Sequence, residues 1–434
     1  MSATPSPEPP LDRRWLEMLA ECCARVAGPR LRVEDLYLER ALEVRVSASA
    51  VGPRVEMVRC DGAAARWRRD GRLITQAATG VGPRTLARRL ADHPAGARLA
   101  TARPLPPSEL DPPRDLFDWA RAVLDRLAGP STVVRYLERR AVVVRDGSWL
   151  QTGGPPLVQV EGAGEDGAGL LATWGHPRLE RWLRCLGEAA PPGRCFSPEP
   201  GLQPPVLLTE GTAGVLLHEL VGHLVEGDLA VSAASPLCGL AGALLTCPTL
   251  ELADDPTRLD LPGGFTADDE GVPAAAMRVL AGGRLVGWLC DRDAAARLGM
   301  APGRGRRSGW SRPPVARLSN RGDAAGTTSR EALENGVGSG LVVTRLGGAV
   351  VDPVSRRAVL RVERGWELRH GRRRRPLARC ELTGDVLDVL AHLDPAIGDD
   401  PTPEWRLGWC VKDGLPLPTG SEAPTVLVHR LEVL

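Results

Sequence analysis

The chain has 434 residues, of which 43% are hydrophobic and 25% are charged, and its formal net charge is +1. This composition is ordinary for a soluble globular protein with a sizeable core, and the length predicts two or three domains. The balanced charge argues against nucleic acid as the main partner, because nucleic-acid binding requires a dominant basic face. Lys412 is the only lysine, and we interpret the preference for arginine as genomic rather than functional.

The first ten residues lack the basic and apolar regions of a secretory signal. No run of about 18 apolar residues occurs, so we expect no membrane-spanning helix and no membrane partner. The ten cysteines show no Cys-x-x-Cys spacing. Together these features predict a cytoplasmic protein with reduced thiols.

Two similar units, each a helix followed by strands, are predicted in the first part of the chain. Each unit begins with an apolar stripe at helical spacing and continues with strand-like runs. The tetrapeptide Tyr-Leu-Glu-Arg occurs at Tyr37–Arg40 and again at Tyr136–Arg139, which fits either an internal duplication or a coincidence. The predicted helices span about 15–27 and 116–127, and the predicted strands lie at 42–46, 65–70, 73–76, 133–138 and 141–145.

Two proline-rich connectors divide the chain, one at about 93–114 and the other at about 187–205. We place the domain boundary at the second connector, which separates an N-terminal α/β domain at 1–195 from a C-terminal domain at 200–434. From 277 to 434 the pattern is mostly strands and turns, with one helix predicted at about 384–392. The predicted fold class is therefore α+β, with a β-rich antiparallel C-terminal domain.

The strongest chemical signal is the helix predicted after the strand at 206–208, with Thr212 as its N-cap. His218 and His223 are five residues apart in an otherwise apolar run. On an ideal α-helix this spacing turns the two side chains about 140° apart, too far to share one ion. A turn with i→i+5 hydrogen bonds, a π-bulge eased by Gly222, would bring both onto one face.

In that arrangement His218 and His223 would be metal ligands, and Glu219 would be the general base that deprotonates a metal-bound water. The alternative is a buried helix whose histidines have only structural hydrogen bonds. Glu226 is a candidate third ligand, or a residue that orients His223.

Cys410 lies in a turn-rich segment near the C-terminus, from which a thiolate could reach back to the metal, but spacing alone does not favour it over Cys238 or Cys290. The remaining histidines of the second half are expected to be structural: His370, His392 and His429.

Three charged segments have an alternative to a functional interpretation. The acidic run 268–270 could bind a cation, but a solvated loop is favoured. The arginines of 303–307 could steer a peptide, but an exposed flexible loop is favoured. The four arginines at 372–375 could bind nucleic acid, but a solvated hairpin tip is favoured, since no aromatic residues are interleaved with them.

Several of these motifs, in this order, resemble those of the TldD/PmbA family, and specifically its TldD-like, metal-binding branch. The resemblance spans about 200–434, whereas the first domain shares only the general layout of helices and strands. The motifs are His218-Glu219-Leu220-Val221-Gly222-His223, Glu226-Gly227-Asp228, Asp268-Asp269-Glu270-Gly271, Arg317 followed by Asn320, and Cys410-x-Lys412-x-Gly414.

The resemblance implies that His218, His223 and Cys410 hold a catalytic metal, with Glu219 as general base and water in the fourth position. Zinc is the expected metal for these ligands, and iron would also fit. The implied reaction is hydrolysis of unfolded or leader-type peptides, which bind as an added β-strand. The implied assembly is a dimer, with a second copy or with a related PmbA-type subunit.

The family pattern is not reproduced everywhere, because Val411 and Leu415 stand where a glycine and a glutamine are usual. If this stretch lines the substrate channel, specificity could differ from that of other members.

Two other functions would use the same residues. One is a non-catalytic scaffold subunit of a TldD/PmbA-type heterodimer, against which the intact ligands and Glu219 argue. The other is a metal-dependent amidase that acts on a small molecule.

Overall fold

The computed structural model describes residues 32–49, 52–69, 72–79, 110–127, 132–145, 148–163, 168–186, 193–406 and 408–434. The helix predicted at 15–27 and most of the first proline-rich connector lie outside these residues. In the described parts, helices and strands are mixed and strands predominate. No helix in these parts is long and apolar enough to cross a membrane.

The first part of the chain forms a seven-stranded sheet. Its strands are β1 (Arg32–Ser47), β2 (Arg54–Arg69), β3 (Arg72–Thr79), β4 (Val133–Arg145), β5 (Ser148–Thr152), β6 (Leu157–Ala163) and β7 (Ala168–Thr173). They run antiparallel in the order β3-β2-β1-β4-β6-β7, and β5 also pairs with β4. The two strands predicted at 133–138 and 141–145 are thus one strand. The charged pair between them does not end it, because Arg139 binds Glu39 and Asp269.

The centre of this sheet is symmetric. β1 and β4 are neighbours, with Arg40 opposite Arg140, and each leads outwards through two further strands. The two copies of the tetrapeptide make the same local contact. The Tyr37 hydroxyl donates to Glu39 at 2.7 Å, and the Tyr136 hydroxyl donates to Glu138 at 2.9 Å. This is the arrangement that an internal duplication would give, and the duplication stays a prediction.

Two helices cover the first sheet, α1 (Leu116–Leu127) and α2 (Leu179–Leu186). Four residues of α1, where a stripe was predicted, are buried, and so are four residues of α2. Trp405, from the second part of the chain, packs into the same core. Its ring stacks on Trp182 with centroids 5.9 Å apart. The two parts of the chain therefore share apolar contacts, and the division at 195–200 stays a proposal.

The second part contains an eight-stranded sheet, a six-stranded sheet and two ribbons of two strands. Its strands are β8 (Val206–Leu208), β9 (Leu252–Asp254), β10 (Met277–Ala281), β11 (Arg284–Leu285), β12 (Gly305–Arg306), β13 (Val315–Ala316), β14 (Asn320–Asp323), β15 (Gly340–Asp352), β16 (Arg357–Arg369), β17 (Arg372–Pro376), β18 (Cys380–Asp385), β19 (Leu393–Ile397), β20 (Thr402–Glu404), β21 (Trp409–Lys412), β22 (Leu415–Pro418), β23 (Gly420–Ala423), β24 (Val426–Val428) and β25 (Glu432–Val433).

These sheets are not purely antiparallel, contrary to the prediction. The order of the larger sheet is β19-β24-β8-β15-β16-β18-β25, with β17 on β16, and that of the smaller is β11-β10-β9-β14-β23-β20. The pairs β8–β15 and β14–β23 are parallel. Parallel neighbours need long connections. A pattern of hairpins between strands adjacent in sequence therefore does not predict them. The hairpin predicted at the four arginines is present, but its turn lies at 370–371 and the arginines form its second strand, β17, rather than its tip.

Five α-helical segments accompany these sheets in the described residues, more than the two predicted there, which are the helix that carries His218 and the helix at 384–392. Two of the unpredicted helices are short but have recognisable N-caps, because the side chains of Asp291 and Ser329 accept from backbone N–H groups. The segments are α3 (Thr212–Leu217), α4 (Gly227–Val231), α5 (Arg292–Leu298), α6 (Arg330–Val337) and α7 (Val386–Ala391).

The acidic and arginine-rich loops are buried, so the prediction of solvated loops at 268–270 and 303–307 is wrong. Asp268 is 1% exposed and accepts from the backbone N–H groups of Glu270, Val272 and Gly305. Arg307 is fully buried. Burial and the nearby Glu270 raise the pKa of Asp268 to about 8. The Arg307 guanidinium lies 3.7 Å from Asp35 and donates to the Arg312 carbonyl at 2.7 Å.

Arg66 is the clearest link between the first sheet and these loops. Its guanidinium binds Asp35 of the first sheet and, at 2.7 Å, Glu270 of the acidic loop. The three side chains are at most 5% exposed. Burial raises the pKa of Glu270 to about 7, and the charge of Arg66 opposes that shift. A cation between two buried carboxylates therefore holds the two parts of the chain together.

Replacing Arg66 with methionine should lower the free energy of unfolding by about 3–5 kcal/mol, because two buried carboxylates lose their partner. The deficit should grow as pH rises above about 7, because below that pKa the Glu270 carboxyl is protonated in both folded proteins. Without Arg66 the pKa of Glu270 rises further, and a carboxyl whose folded-state pKa is raised loses its stabilising contribution as pH increases. Urea unfolding at several pH values measures both effects.

The matched control is Arg68→Met on the same strand. Arg68 is 41% exposed and pairs with Glu34, so its loss should cost less than about 1 kcal/mol at any pH. Equal losses for the two variants would contradict the assigned role of the buried pair.

Candidate metal centre

The two histidines lie on a π-helical turn, His218–Gly222, between α3 and a 3-10 turn at His223–Val225. The His223 N–H donates to the His218 carbonyl, which is the i→i+5 bond that the five-residue spacing predicts. The ring centroids are 4.7 Å apart, with the planes at 87°. The extra residue in the turn therefore brings both imidazoles to one side of the helix.

Two details of this segment differ from the prediction. Gly222 has an ordinary right-handed conformation, with φ −51° and ψ −58°. An added Cβ would lie 3.1 Å from Cδ1 of Leu318, so the glycine leaves room for that side chain rather than easing the backbone. The N-cap is Gly211, in the left-handed region at φ 86°. The Thr212 hydroxyl instead donates to the Thr209 carbonyl at 2.7 Å.

Cys410 reaches the histidines from the β21–β22 ribbon, where it pairs with Leu417. Its Sγ lies 3.2 Å from Nε2 of His218 and 3.2 Å from Nε2 of His223. All three ligand atoms lie within 4.8 Å of one another, and no other such group of three occurs among the described His, Cys, Asp and Glu residues. Tetrahedral zinc with usual bond lengths separates sulfur from nitrogen by about 3.5 Å. The donor set therefore fits a zinc-sized ion.

Glu226 does not join these three ligands. It is fully buried, with Oε2 3.4 Å from Nδ1 of His223 and 2.8 Å from Nζ of Lys412. Its Oε1 accepts from the Leu318 N–H at 3.2 Å. Burial alone would raise the pKa of Glu226, but His223, Lys412 and Arg317 outweigh it and hold the pKa at about 2. Glu226 is thus a permanent carboxylate facing the outer nitrogen of a ligand histidine, a position that orients the ring.

The surroundings of Cys410 favour its thiolate. Burial opposes ionisation, but His218 and His223 outweigh it and hold the pKa of the thiol well below its usual range. The pKa of His223 lies well above its usual value despite burial, because the Glu226 carboxylate and Cys410 favour its charged form. A metal ion competes with protons for these atoms, so its binding would release them.

Glu219 and the three candidate ligands line one cleft. One wall is the outer part of β15, Gly348–Val351, and another is β21 with the residue after it. β15 pairs with β16 along its length but with β8 only at Leu341–Val343. The edge of the outer part of β15 away from β16 therefore has no strand partner among the described residues.

The other candidates named from the sequence lie elsewhere. Cys290 packs in a small core with Ala294, and Cys238 faces the carbonyls after Asp228. The three other histidines of the second half lie away from this cluster. His370 is in the β16–β17 turn, His392 at the end of α7 contacts Asp388, and His429 lies 3.7 Å from Asp394. Sequence reasoning gave no role to Lys412, although its being the only lysine was a visible signal.

The chain is thus a mixed, strand-rich protein with a His/His/Cys group that could hold a metal ion. Residues 202–434 match the family model of the PmbA/TldA metallopeptidase C-terminal domain. This match covers more than half of the chain, and the chain belongs to the PmbA/TldD family.

Curated relatives match between about half and two thirds of the chain. The metalloprotease TldD homolog of Haemophilus influenzae is 30% identical over 230 residues, which are 53% of this chain and 48% of the relative. A metalloprotease of Methanothermobacter thermautotrophicus is 29% identical over 301 residues, which are 67% of this chain and 62% of the relative. The chain thus spans about half of the length of the curated relatives it matches.

Two solved structures share the fold at low sequence identity. TldE from Thermococcus kodakarensis aligns with a TM-score of 0.70 at 14% identity, over 96% of this chain and 99% of that one. A protein described as a putative modulator of a DNA gyrase from Thermotoga maritima aligns with a TM-score of 0.69 at 17% identity, over 96% and 99%. The likeness to these two structures extends over both parts of the chain and shows a shared fold.

Purified protein should carry close to one transition-metal ion per chain, and Cys410→Ala should bind zinc at least about tenfold more weakly, because one of three protein ligands is lost. Elemental analysis and a competition titration with a chromophoric chelator measure this. Cys247→Ala, which removes a buried thiol from the main core, is the control. Full metal occupancy in Cys410→Ala would remove Cys410 from the site.

Proposed function

We propose that the chain is a metal-dependent peptidase in which His218, His223 and Cys410 hold a zinc ion, with iron as the alternative metal. The observation that carries the proposal is the meeting of three ligand atoms within 4.8 Å, although Cys410 is 187 residues from His223. An incidental cluster would not need a buried carboxylate behind one ligand and a buried guanidinium behind another. Both are present in Glu226 and Arg317.

Bound zinc supplies Lewis acidity, which lowers the pKa of water and polarises a carbonyl. Glu219 acts as the general base: it takes the proton from the attacking water and delivers it to the leaving amine. Its side chain is 8% exposed and lines the same cleft as the ligands. Retention of this base together with all three ligands argues against a purely non-catalytic scaffold subunit.

The substrate is an unfolded or leader-type peptide that adds as a strand to the free edge of β15. Backbone hydrogen bonds to such an edge tolerate many sequences, while a folded protein has no extended segment to offer. A cleft walled by strand edges suits a chain better than a compact molecule, which favours a peptidase over a small-molecule amidase. Val411 lines this cleft and is 59% exposed, so it would touch the substrate where a glycine is usual.

The proposed assembly is a dimer, formed with a second copy or with a related PmbA-type subunit, in keeping with the likeness to TldE. The proposed location is the cytoplasm. The eight cysteines in the described parts of the chain are all free, which suits a reducing compartment.

Glu219→Gln should keep its zinc and lose peptide hydrolysis by at least about 100-fold, because the amide cannot accept the proton. Metal content and turnover of a denatured protein substrate are measured on the same preparation. Glu331→Gln, in the first turn of α6, is the control. Unchanged turnover in Glu219→Gln would contradict its assignment as base.

Strand addition predicts that a denatured protein is cut much faster than its folded form. It also predicts that an N-methylated peptide is cut at least about tenfold more slowly than its parent, because each methyl group removes a backbone donor. Methylation is scanned one bond at a time, and cleavage is followed by mass spectrometry. If folded and denatured substrates are cut at equal rates, or if no methylation position matters, the peptide does not bind as a strand.

A further inference from the structure

A buried arginine lies directly behind the candidate metal centre. Arg317 is 1% exposed. Its Nη2 is 3.1 Å from Sγ of Cys410 and donates to the carbonyl of the same residue at 2.8 Å. Its Nε lies 3.5 Å from Oε1 of Glu226. One guanidinium therefore contacts both the proposed thiolate ligand and the Glu226 carboxylate, which faces a second proposed ligand, His223.

The backbone around Arg317 is held in place. Arg317 follows β13, and its N–H donates to the Arg304 carbonyl at 3.0 Å. The next N–H, of Leu318, donates to Glu226. A guanidinium on a rigid, buried segment presents its donors in a fixed direction.

The charges behind the three ligands balance. Arg317 and Lys412 are positive, while Glu226 and Asp228 are negative, and Lys412 contacts both carboxylates at 2.8 and 2.7 Å. Since this outer layer has no net charge, its effect on the metal depends on which atoms face the ligands. The Arg317 guanidinium faces the Cys410 sulfur, and the Glu226 carboxylate faces the His223 imidazole.

We propose that Arg317 is a positioning residue that aims the Cys410 sulfur at the metal and reduces the electron density that this sulfur donates. This inference rests on the proposed metal centre. An N–H···S hydrogen bond draws charge from a ligand sulfur, as it does in other metal–thiolate sites. A less strongly donating thiolate leaves the metal a stronger Lewis acid for peptide hydrolysis. The aligned sulfur and the Glu226-held imidazole then meet the ion in one geometry.

The competing interpretation is that Arg317 only ties backbone segments together, since it also donates to the Leu415 carbonyl at 3.1 Å. Arg306 provides a matched control. It is 6% exposed and joins the same two regions through the carbonyls of Leu318 and Pro418. No contact between its side chain and a proposed ligand is present. A purely structural role would therefore make variants at the two positions behave alike.

The test replaces zinc with cobalt(II) in the wild type and in the Arg317→Lys, Arg317→Gln and Arg306→Lys variants. Removing the hydrogen bond makes the sulfur a better donor. The thiolate-to-cobalt charge-transfer band of both Arg317 variants should therefore move to lower energy, and their zinc affinity should fall about 10- to 100-fold. The Arg306 variant should keep the wild-type band position. Identical bands in all four proteins would overturn the proposal.

The same cobalt spectra distinguish a failure of the proposed metal centre from a failure of the role proposed for Arg317. If the wild type shows no charge-transfer band, or if Cys410→Ala keeps it, the proposed centre fails before Arg317 is tested. Should both Arg317 variants misfold, the wild type loaded with cadmium-113 gives a direct measurement. A scalar coupling between cadmium and an Arg317 side-chain N–H proton, passing through sulfur, is expected. Its absence in a protein whose cadmium is coupled to Cys410 would contradict the proposal.

Discussion

The hydrogen bond from the His223 N–H to the His218 carbonyl is the constraint on which the centre depends. An α-helical bond at this point would rotate His223 away from His218, and Cys410 could then approach one ring but not both. Because the turn is π-helical, both Nε2 atoms lie 3.2 Å from one sulfur. The β21–β22 ribbon can therefore complete the site with a single residue.

The same site explains why so many charges are buried in the second part of the chain. Glu226, Arg317 and Lys412 surround the ligands in a network in which each charge has a partner. A second network, which includes Arg66 and Glu270, links the first sheet to the loops after β9. Buried ion pairs add little stability over apolar packing but are costly to break. Their benefit here is a fixed geometry between segments that are distant in the chain.

Local sequence patterns predicted only part of the fold and of the candidate site. The apolar stripe of α1 and the π-helical turn were readable, because each depends on residues within a few positions of one another. The charged loops were misread as solvated, since nothing near Glu270 or Arg307 in the sequence shows that Arg66 and Asp35 lie beside them. The parallel pairs β8–β15 and β14–β23 were missed for the same reason.

By itself, the sequence determined the types of ligand, the distorted helix that carries two of them, and a short set of cysteines that could supply the third. The choice of Cys410 came from the family resemblance and not from spacing. Only the tertiary structure brought the Cys410 sulfur to the histidines, placed Arg317 behind it and directed Glu226 towards Nδ1 of His223. Local spacing controls which way neighbouring side chains point, whereas strand pairing across almost two hundred residues controls which of them meet.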